Sequence, residues 1–198
     1  MKNFLLYFVI TLSLLGVAPN LFAAGTIYKV DAAKSLLTWT GKKVTGQHTG
    51  NIKVKSGSIT MFGKAIKAGE IIVDMTSITD TDLTDPEWNG KLITHLKSND
   101  FFAVDKFKEA KLVIKDAQFG KGGIYNIIAD LIIKGKSHPV KFDADLNIED
   151  EILTGIIEFT FDRTRYDIKY GSGKFFKSLG DKMINDEVSV KADIHAKI

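Results

Sequence analysis

A hydrophobic period of two, held almost without interruption from Ser35 to the last residue, constrains this chain more than any other feature. The final segment, VSVKADIHAKI (188–198), is its clearest instance. Val188, Val190, Ala192, Ile194, Ala196 and Ile198 fall on one face of an extended strand, and Ser189, Lys191, Asp193, His195 and Lys197 on the other. A helix cannot sort these residues, whereas a half-buried strand does. The same rhythm runs through SLLTWTG (35–41), GNIKVKSGSITMFG (50–63), GEIIVDMTSI (69–78), AKLVIKDAQF (110–119), IYNIIADLIIKG (124–135), PVKFDADLNI (139–148) and GIIEFTFDRTRYDI (155–168). In 139–148, Val140, Phe142, Ala144, Leu146 and Ile148 alternate with Lys141, Asp143, Asp145 and Asn147, so one face is wet and the other covered.

Short turn-forming links separate these runs: Lys55-Ser-Gly57, Gly63 to Gly69, Gly120-Lys-Gly-Gly123, Gly135 to Pro139 and Glu149-Asp-Glu151. Links this short join antiparallel neighbours. Seven to nine such strands must dispose of their edges, and closure of the sheet does so. The sequence therefore predicts an all-β fold, an antiparallel barrel of eight strands within that range. No composition shift marks a second domain.

One segment departs from the rhythm, DPEWNGKLITHLKSNDFF (85–102). Asp85 is suited to accept from the free amides of a first helical turn, and Pro86 to the first helical position. One short helix is predicted near residues 86–97. Trp88, Leu92 and Leu96 recur at every fourth position on one side, His95 lies beside them, and Ser98-Asn99-Asp100 ends the helix. Such a helix can plug one end of a barrel or serve as a lid beside a ligand mouth.

The N-terminus reads as a secretory signal peptide over residues 1–23. Lys2 precedes an uncharged run from Phe4 to Ala18, with Ala23 and Ala24 as cleavage points. The run is short for a membrane span of roughly 20 residues, so no stable span is expected after processing. A mature domain of residues 24–198, periplasmic or secreted, is the expectation. The chain has no cysteine, which excludes disulfides, thiol nucleophiles and thiolate-bound metals. Its formal net charge of +3 is small and dispersed, leaving no electrostatic footprint for nucleic acid.

Catalytic signatures are absent from the sequence. His48, His95, His138 and His195 show no metal-ligand spacing, so neither a metal nor another cofactor is expected. The carboxylate groups Asp80/Asp82/Asp85 and Glu149/Asp150/Glu151 lie in turn-like sequence, where they should be solvated with nothing to raise their pKa. Gly171-Ser-Gly-Lys174 lacks the glycine spacing of a phosphate loop, and no nucleophile elbow occurs. What remains is a set of large apolar side chains where strands meet loops. Trp39, Trp88, Leu92, Leu96, Phe101 and Phe102, with His95, are the candidates around the helix. Phe142 and Phe159 are the candidates along the strands. YGSGKFF (170–176) carries Phe175 and Phe176 on a glycine-hinged segment that reads as a flap over a cavity, or else as a hydrophobic staple under a long loop.

VDAAKSLLTWTGKKVTG (30–46), HLKSNDFFAVDKFKEAKLVI (95–114), ADLIIKGKSHPVKFDADL (129–146) and GDKMINDEVSVKADIHA (180–196) together resemble the YceI-like, polyisoprenoid-binding family of exported bacterial proteins. The resemblance implies a lipocalin-like barrel that holds a long apolar chain, such as a polyisoprenoid, an isoprenoid quinone or a fatty-acid-derived amphiphile, without acting on it. Burial of ~15 carbons at about 0.8 kcal/mol each would supply roughly 12 kcal/mol before the cost of ordering. The chain departs from the family in Gly41 to His48 and in DRTRYDIKYGSGKFF (162–176), so the resemblance leaves the ligand open. A head group could meet His95, Arg163 or Arg165. The alternative reading is a filled barrel that serves as an interaction or stress-response envelope protein. Either form could pair as a homodimer through an exposed strand edge.

Overall fold

Among the described residues, the two periods of the sequence become nine strands and one α-helix. The computed structural model describes residues 25–198; the predicted signal segment lies outside the described residues. The elements are β1 (Thr26–Val30), β2 (Leu36–Lys43), β3 (Gly46–Phe62), β4 (Ala65–Asp74), α1 (Pro86–Lys97), β5 (Glu109–Phe119), β6 (Ile124–Ile133), β7 (Lys136–Glu149), β8 (Ile152–Asp162) and β9 (Ile184–Lys197). Consecutive strands from β2 to β9 pair antiparallel, and β9 returns to β2, which closes the barrel.

Strand β1 does not add a ninth stave. It pairs with β3 from Thr26↔Met61 to Lys29↔Ser58 and with β9 at Lys29↔Lys197, while β2 takes up the same two neighbours from Leu36↔Lys53 and Leu36↔Asp193. The two are halves of one stave, interrupted at residues 31–35. Buried Ser35 holds the interruption: its Oγ accepts from the His195 amide at 3.0 Å and donates to the His195 carbonyl at 3.3 Å. An unpaired backbone group inside the wall is thereby avoided.

Two expected turns come out differently. Lys55-Ser-Gly57 is a bulge inside the 17-residue β3, where the register against β4 slips between Val54 and Ser56. A bulge bends a strand without ending it, which lets one long strand follow the barrel's curvature. The Gly63 to Gly69 link shrinks to a tight turn, and residues 65–69 join β4. Ile148 and Ile198 were expected on the covered face but are 42% and 60% exposed, Ile148 at the end of β7 and Ile198 one residue beyond β9.

The interior has two unequal halves. At the end nearest the β3–β4 turn, Tyr28, Ile59, Met61, Ile66, Tyr125 and Leu153 are buried against one another, and the Tyr125 hydroxyl donates to the Lys64 carbonyl at 2.8 Å. Toward the other end the wall opens. β7 and β8 pair only from Ala144↔Ile157 to Glu149↔Ile152, so residues 136–143 and 158–162 diverge. Phe142 stacks on Phe159 across the split, centroids 5.3 Å apart, and the 3₁₀ turn Arg163–Tyr166 follows β8 there. Tyr166 is 1% exposed, edge-on to His138 and Phe161.

Candidate functional site

Helix α1 lies at the open end of the barrel. Asp85 accepts from the amides of Glu87 (2.9 Å) and Trp88 (3.1 Å), and Pro86 opens the helix, as its sequence requires. Leu92, Ile93 and Leu96 pack against the core. Beneath them is a cavity of about 190 Å³. Its wall is supplied by inward positions of seven strands, among them Leu37, Ile52, Val73, Leu112, Leu131, Ile157 and Val190. These residues are the alternating apolar positions of the sequence, which marked them as inward without separating packed from cavity-lining ones. The rim carries Lys42, Lys43, His48 and Asn185.

The predicted residues divide between several places. Trp39, Leu92, Leu96, Phe101, Phe102, Phe159 and Arg163 line the cavity. Phe142 stands behind Phe159, stacked on it. His95 faces outward: its ring meets Phe101 at 4.9 Å and Tyr170 at 4.6 Å, and its Nε2 lies 3.1 Å from Asp100 Oδ2. With Trp88, Lys91 and Leu83 it borders a shallow external cleft that shares Lys43, His48 and Leu92 with the cavity rim. Trp88 is 60% exposed, with Lys91 Nζ 4.4 Å from its ring centroid. Positions four apart drift by about 40° around a helix, so Trp88 in the first turn is rotated away from the face that Leu96 buries.

The segment 170–176 is tethered and does not form a flap over the cavity. Ser172 is fully buried, the Ile184 amide donates to the Gly171 carbonyl at 2.9 Å, and Lys174 Nζ reaches Asp162 (2.7 Å) and Asp186 (3.3 Å). Phe175 and Phe176 point into solvent, each about half exposed.

Arg163 is equally committed. Its Nε donates to the Asn185 carbonyl (2.9 Å), Nη1 to those of Ile168 (2.9 Å) and Tyr170 (2.8 Å), and Nη2 to that of Ile184 (3.1 Å). Burial pushes its pKa down against the pull of Asp186 and Asp162. Its donors therefore hold the protein together and are not free for a head group. Arg165 is exposed beside His138, and it does not line the cavity.

The expectation of solvated carboxylates fails at one position. Asp80 is 8% exposed, and burial pushes its carboxyl up, opposed by the hydrogen bond from the Leu83 amide. Burial also pushes Asp82 up, but the Thr49 amide, Asp80 and His48 outweigh it and hold that carboxyl below its ordinary range. Turn-like composition hid this pair. The segment 79–81 docks on β3, with the Thr79 and Thr81 amides donating to the carbonyls of Asn51 and Thr49, both at 2.9 Å.

A closed antiparallel barrel with an apolar cavity at one end and a helix across its mouth defines the class, small barrels whose interior is only partly filled by their own side chains. Residues 28–196 match the YceI-like domain model, and the chain belongs to the YceI-like family. A UPF0312 protein of Staphylococcus aureus strain USA300 is 29% identical over 157 residues, covering 74% of this chain and 85% of the relative. The crystal structure of Burkholderia cenocepacia BcnA shares the fold at a TM-score of 0.68 and 22% identity, covering 85% of this chain and 99% of that one. A polyisoprenoid binding domain from Saccharophagus degradans, implicated in plant cell wall breakdown, shares it at 0.62 and 12% identity, covering 86% and 97%.

Proposed function

We propose that the chain binds, carries or sequesters a long apolar lipid in the barrel, outside the cytoplasm and without chemistry on it. The ligand class is a polyisoprenoid, an isoprenoid quinone or a fatty-acid-derived amphiphile. The observation that carries this reading is the cavity itself: aliphatic and aromatic side chains form its wall, and the polar groups that are free to bind gather at its rim. The polyisoprenoid-binding fold relative supports the ligand class. The leader-like N-terminus supports export.

The size of the cavity says how such a ligand sits. At about 190 Å³ it exceeds an apolar hole that takes one benzene ring, about 150 Å³, and falls short of the roughly 300–1,000 Å³ of pockets that enclose a drug-sized molecule. A tail therefore enters first, and the remainder lies along the cleft between His48, Trp88 and His95. An anionic or strongly polar head would meet Lys42 and Lys43. Lysis or isomerisation of the lipid would need an acid–base pair at the buried end. The cavity's one strongly buried ionic group, Arg163, is occupied by main-chain carbonyls.

Native mass spectrometry of the mature protein, purified from its own periplasm without detergent, tests the proposal. A bound species of several hundred daltons, released by organic solvent, is expected. The packed half of the barrel favours a second reading, an interaction protein with no lipid. A bare polypeptide that also refuses an apolar fluorophore would establish that reading instead.

A further inference from the structure

Where β3 meets the segment after β4, three side chains from distant positions turn one atom each toward a common point. His48 Nδ1 lies 3.1 Å from Asp82 Oδ2 and 3.9 Å from Asp80 Oδ2, and all three atoms lie within 4.8 Å of one another. The other carboxylate oxygens are already held. Asp80 Oδ1 accepts from the Leu83 amide at 2.8 Å and from Asn89 Nδ2 at 3.3 Å, and Asp82 Oδ1 from the Thr49 amide at 2.8 Å. Asn89, on α1, also donates to the carbonyls of Asp80 and Leu83.

One atom in this arrangement is unexplained. Asp80 Oδ2 belongs to a side chain with no solvent exposure, and it has no hydrogen-bond partner among the described residues. A buried carboxylate oxygen left unpaired costs several kcal/mol, so a partner is to be expected. Protonated His48 is not sufficient, because a single Nδ1–H points one way, and Asp82 is the nearer acceptor while Asp80 is beyond hydrogen-bond reach. A proton on Asp80 shared with Asp82 would pair the two carboxyls but leave His48 Nδ1 outside, whereas a single cation between the three atoms engages all of them at once.

We propose that His48, Asp80 and Asp82 form a site for one divalent transition-metal ion of the zinc class. Ligands on a tetrahedral ion of this size stand roughly 3.3 Å apart, which the two His48 distances bracket. One imidazole nitrogen with two carboxylate oxygens suits such an ion. Calcium requires six to eight oxygens, more than this site supplies. The hydrogen bonds from Leu83, Thr49 and Asn89 are the outer shell that aims the ligands. His48 and Asp82 are partly open to solvent, which leaves room for water to complete the coordination. The ion would fasten the segment 80–83 and, through Asn89, the head of α1 to β3 beside the cavity rim. The site shares His48 with the rim and cleft assigned to the lipid, whereas Asp80 and Asp82 line neither.

The test is titration of the delipidated mature protein with Zn²⁺ alone, by calorimetry and by the imidazole resonances of His48 in NMR. One ion per chain, in the micromolar range or tighter, with His48 Nδ1 shifted on binding, is expected. Asp82→Asn and His48→Gln, at partly exposed positions, should each weaken binding by about 10–100-fold with the barrel's circular dichroism unchanged. Asp80→Asn serves as a further variant if it folds. Absence of binding, or binding that Asp82→Asn and His48→Gln leave intact, overturns the assignment. Asp82→Asn, which touches neither the cavity nor the cleft, separates the two readings: it should lose Zn²⁺ while apolar fluorophore binding persists.

Discussion

Asp186 Oδ1 lies 3.5 Å from Arg163 Nη2 beside the cavity and accepts no hydrogen bond among the described residues, while Arg163 gives its hydrogens to four main-chain carbonyls. The pair is a charge contact superimposed on a backbone clasp. The clasp joins the turn after β8 to the start of β9. Removing the guanidinium strands four carbonyls and leaves Asp186 with Lys174 as its remaining charge partner. Arg163→Met should lose about 3–5 kcal/mol in urea unfolding. Arg163→Lys should recover only part, since an ammonium cannot reproduce the planar fork. Apolar fluorophore binding by whatever remains folded should change little; a selective loss of binding would instead make Arg163 a ligand contact.

The two halves of the barrel should answer differently to the same substitution. Ala192 lines the cavity, whereas Ala144, 1% exposed, is packed in the filled half. Ala192→Phe puts a ring into open space, so apolar fluorophore binding should fall at least tenfold with stability within about 1 kcal/mol of the parent. Ala144→Phe overpacks and should cost about 1–3 kcal/mol while binding persists. Equal destabilisation by both would mean that the cavity is not available space.

Alkali should unfold the protein in part through Tyr166. Burial raises its pKa from 10 to about 12, because the phenolate would have to form in the core. The folded value lies above the unfolded one, so the stabilisation is complete below pH 10 and is lost as pH rises from there toward 12. A shift of two units corresponds to about 2.7 kcal/mol at the far end of that window. Tyr166→Phe should flatten the slope of unfolding free energy between those values. Tyr125, also raised by burial, should leave a residual slope. An unchanged slope in the variant would place Tyr166 outside this linkage.

Much of this fold is legible in the sequence because alternation is a local signal. Residues 188–196 show which face of β9 is covered without knowledge of its partners, and Asp85-Pro86 opens α1 where the sequence puts it. Strand β1 is too short to establish a period, and its place as half of a stave depends on β3 and β9. The cavity is less legible, since Ile157 and Leu153 look alike in sequence but only Ile157 faces open space. Phe175 and Phe176 read as site residues by size, yet the Lys174 contacts hold their segment with both rings outward. His48 and Asp80 are 32 positions apart, and only the docking of 79–81 on β3 brings them together.

That docking depends on Gly50. A Cβ there would stand 1.8 Å from the Thr79 carbonyl oxygen and 2.8 Å from Asp80 Cα, both backbone atoms that cannot rotate away. The same carbonyl accepts from Trp39 Nε1 at 3.0 Å, so displacing it also strips an indole on the cavity wall of its partner. Gly50→Ala should therefore cost about 2–4 kcal/mol, although alanine is normally neutral or favourable in a strand. Gly90 is the contrast: it lies within α1 with nothing near its missing Cβ, so Gly90→Ala should stabilise by about 0.5–1 kcal/mol. Urea unfolding of the two variants side by side gives the comparison. Where Gly50→Ala still folds, displacement of Thr79 and Asp80 should also weaken Zn²⁺ binding at least tenfold, whereas Gly90→Ala leaves it unchanged. Stabilisation by Gly50→Ala would mean that the segment 79–81 does not rest on β3, and the assembly of His48 with Asp80 would fail with it.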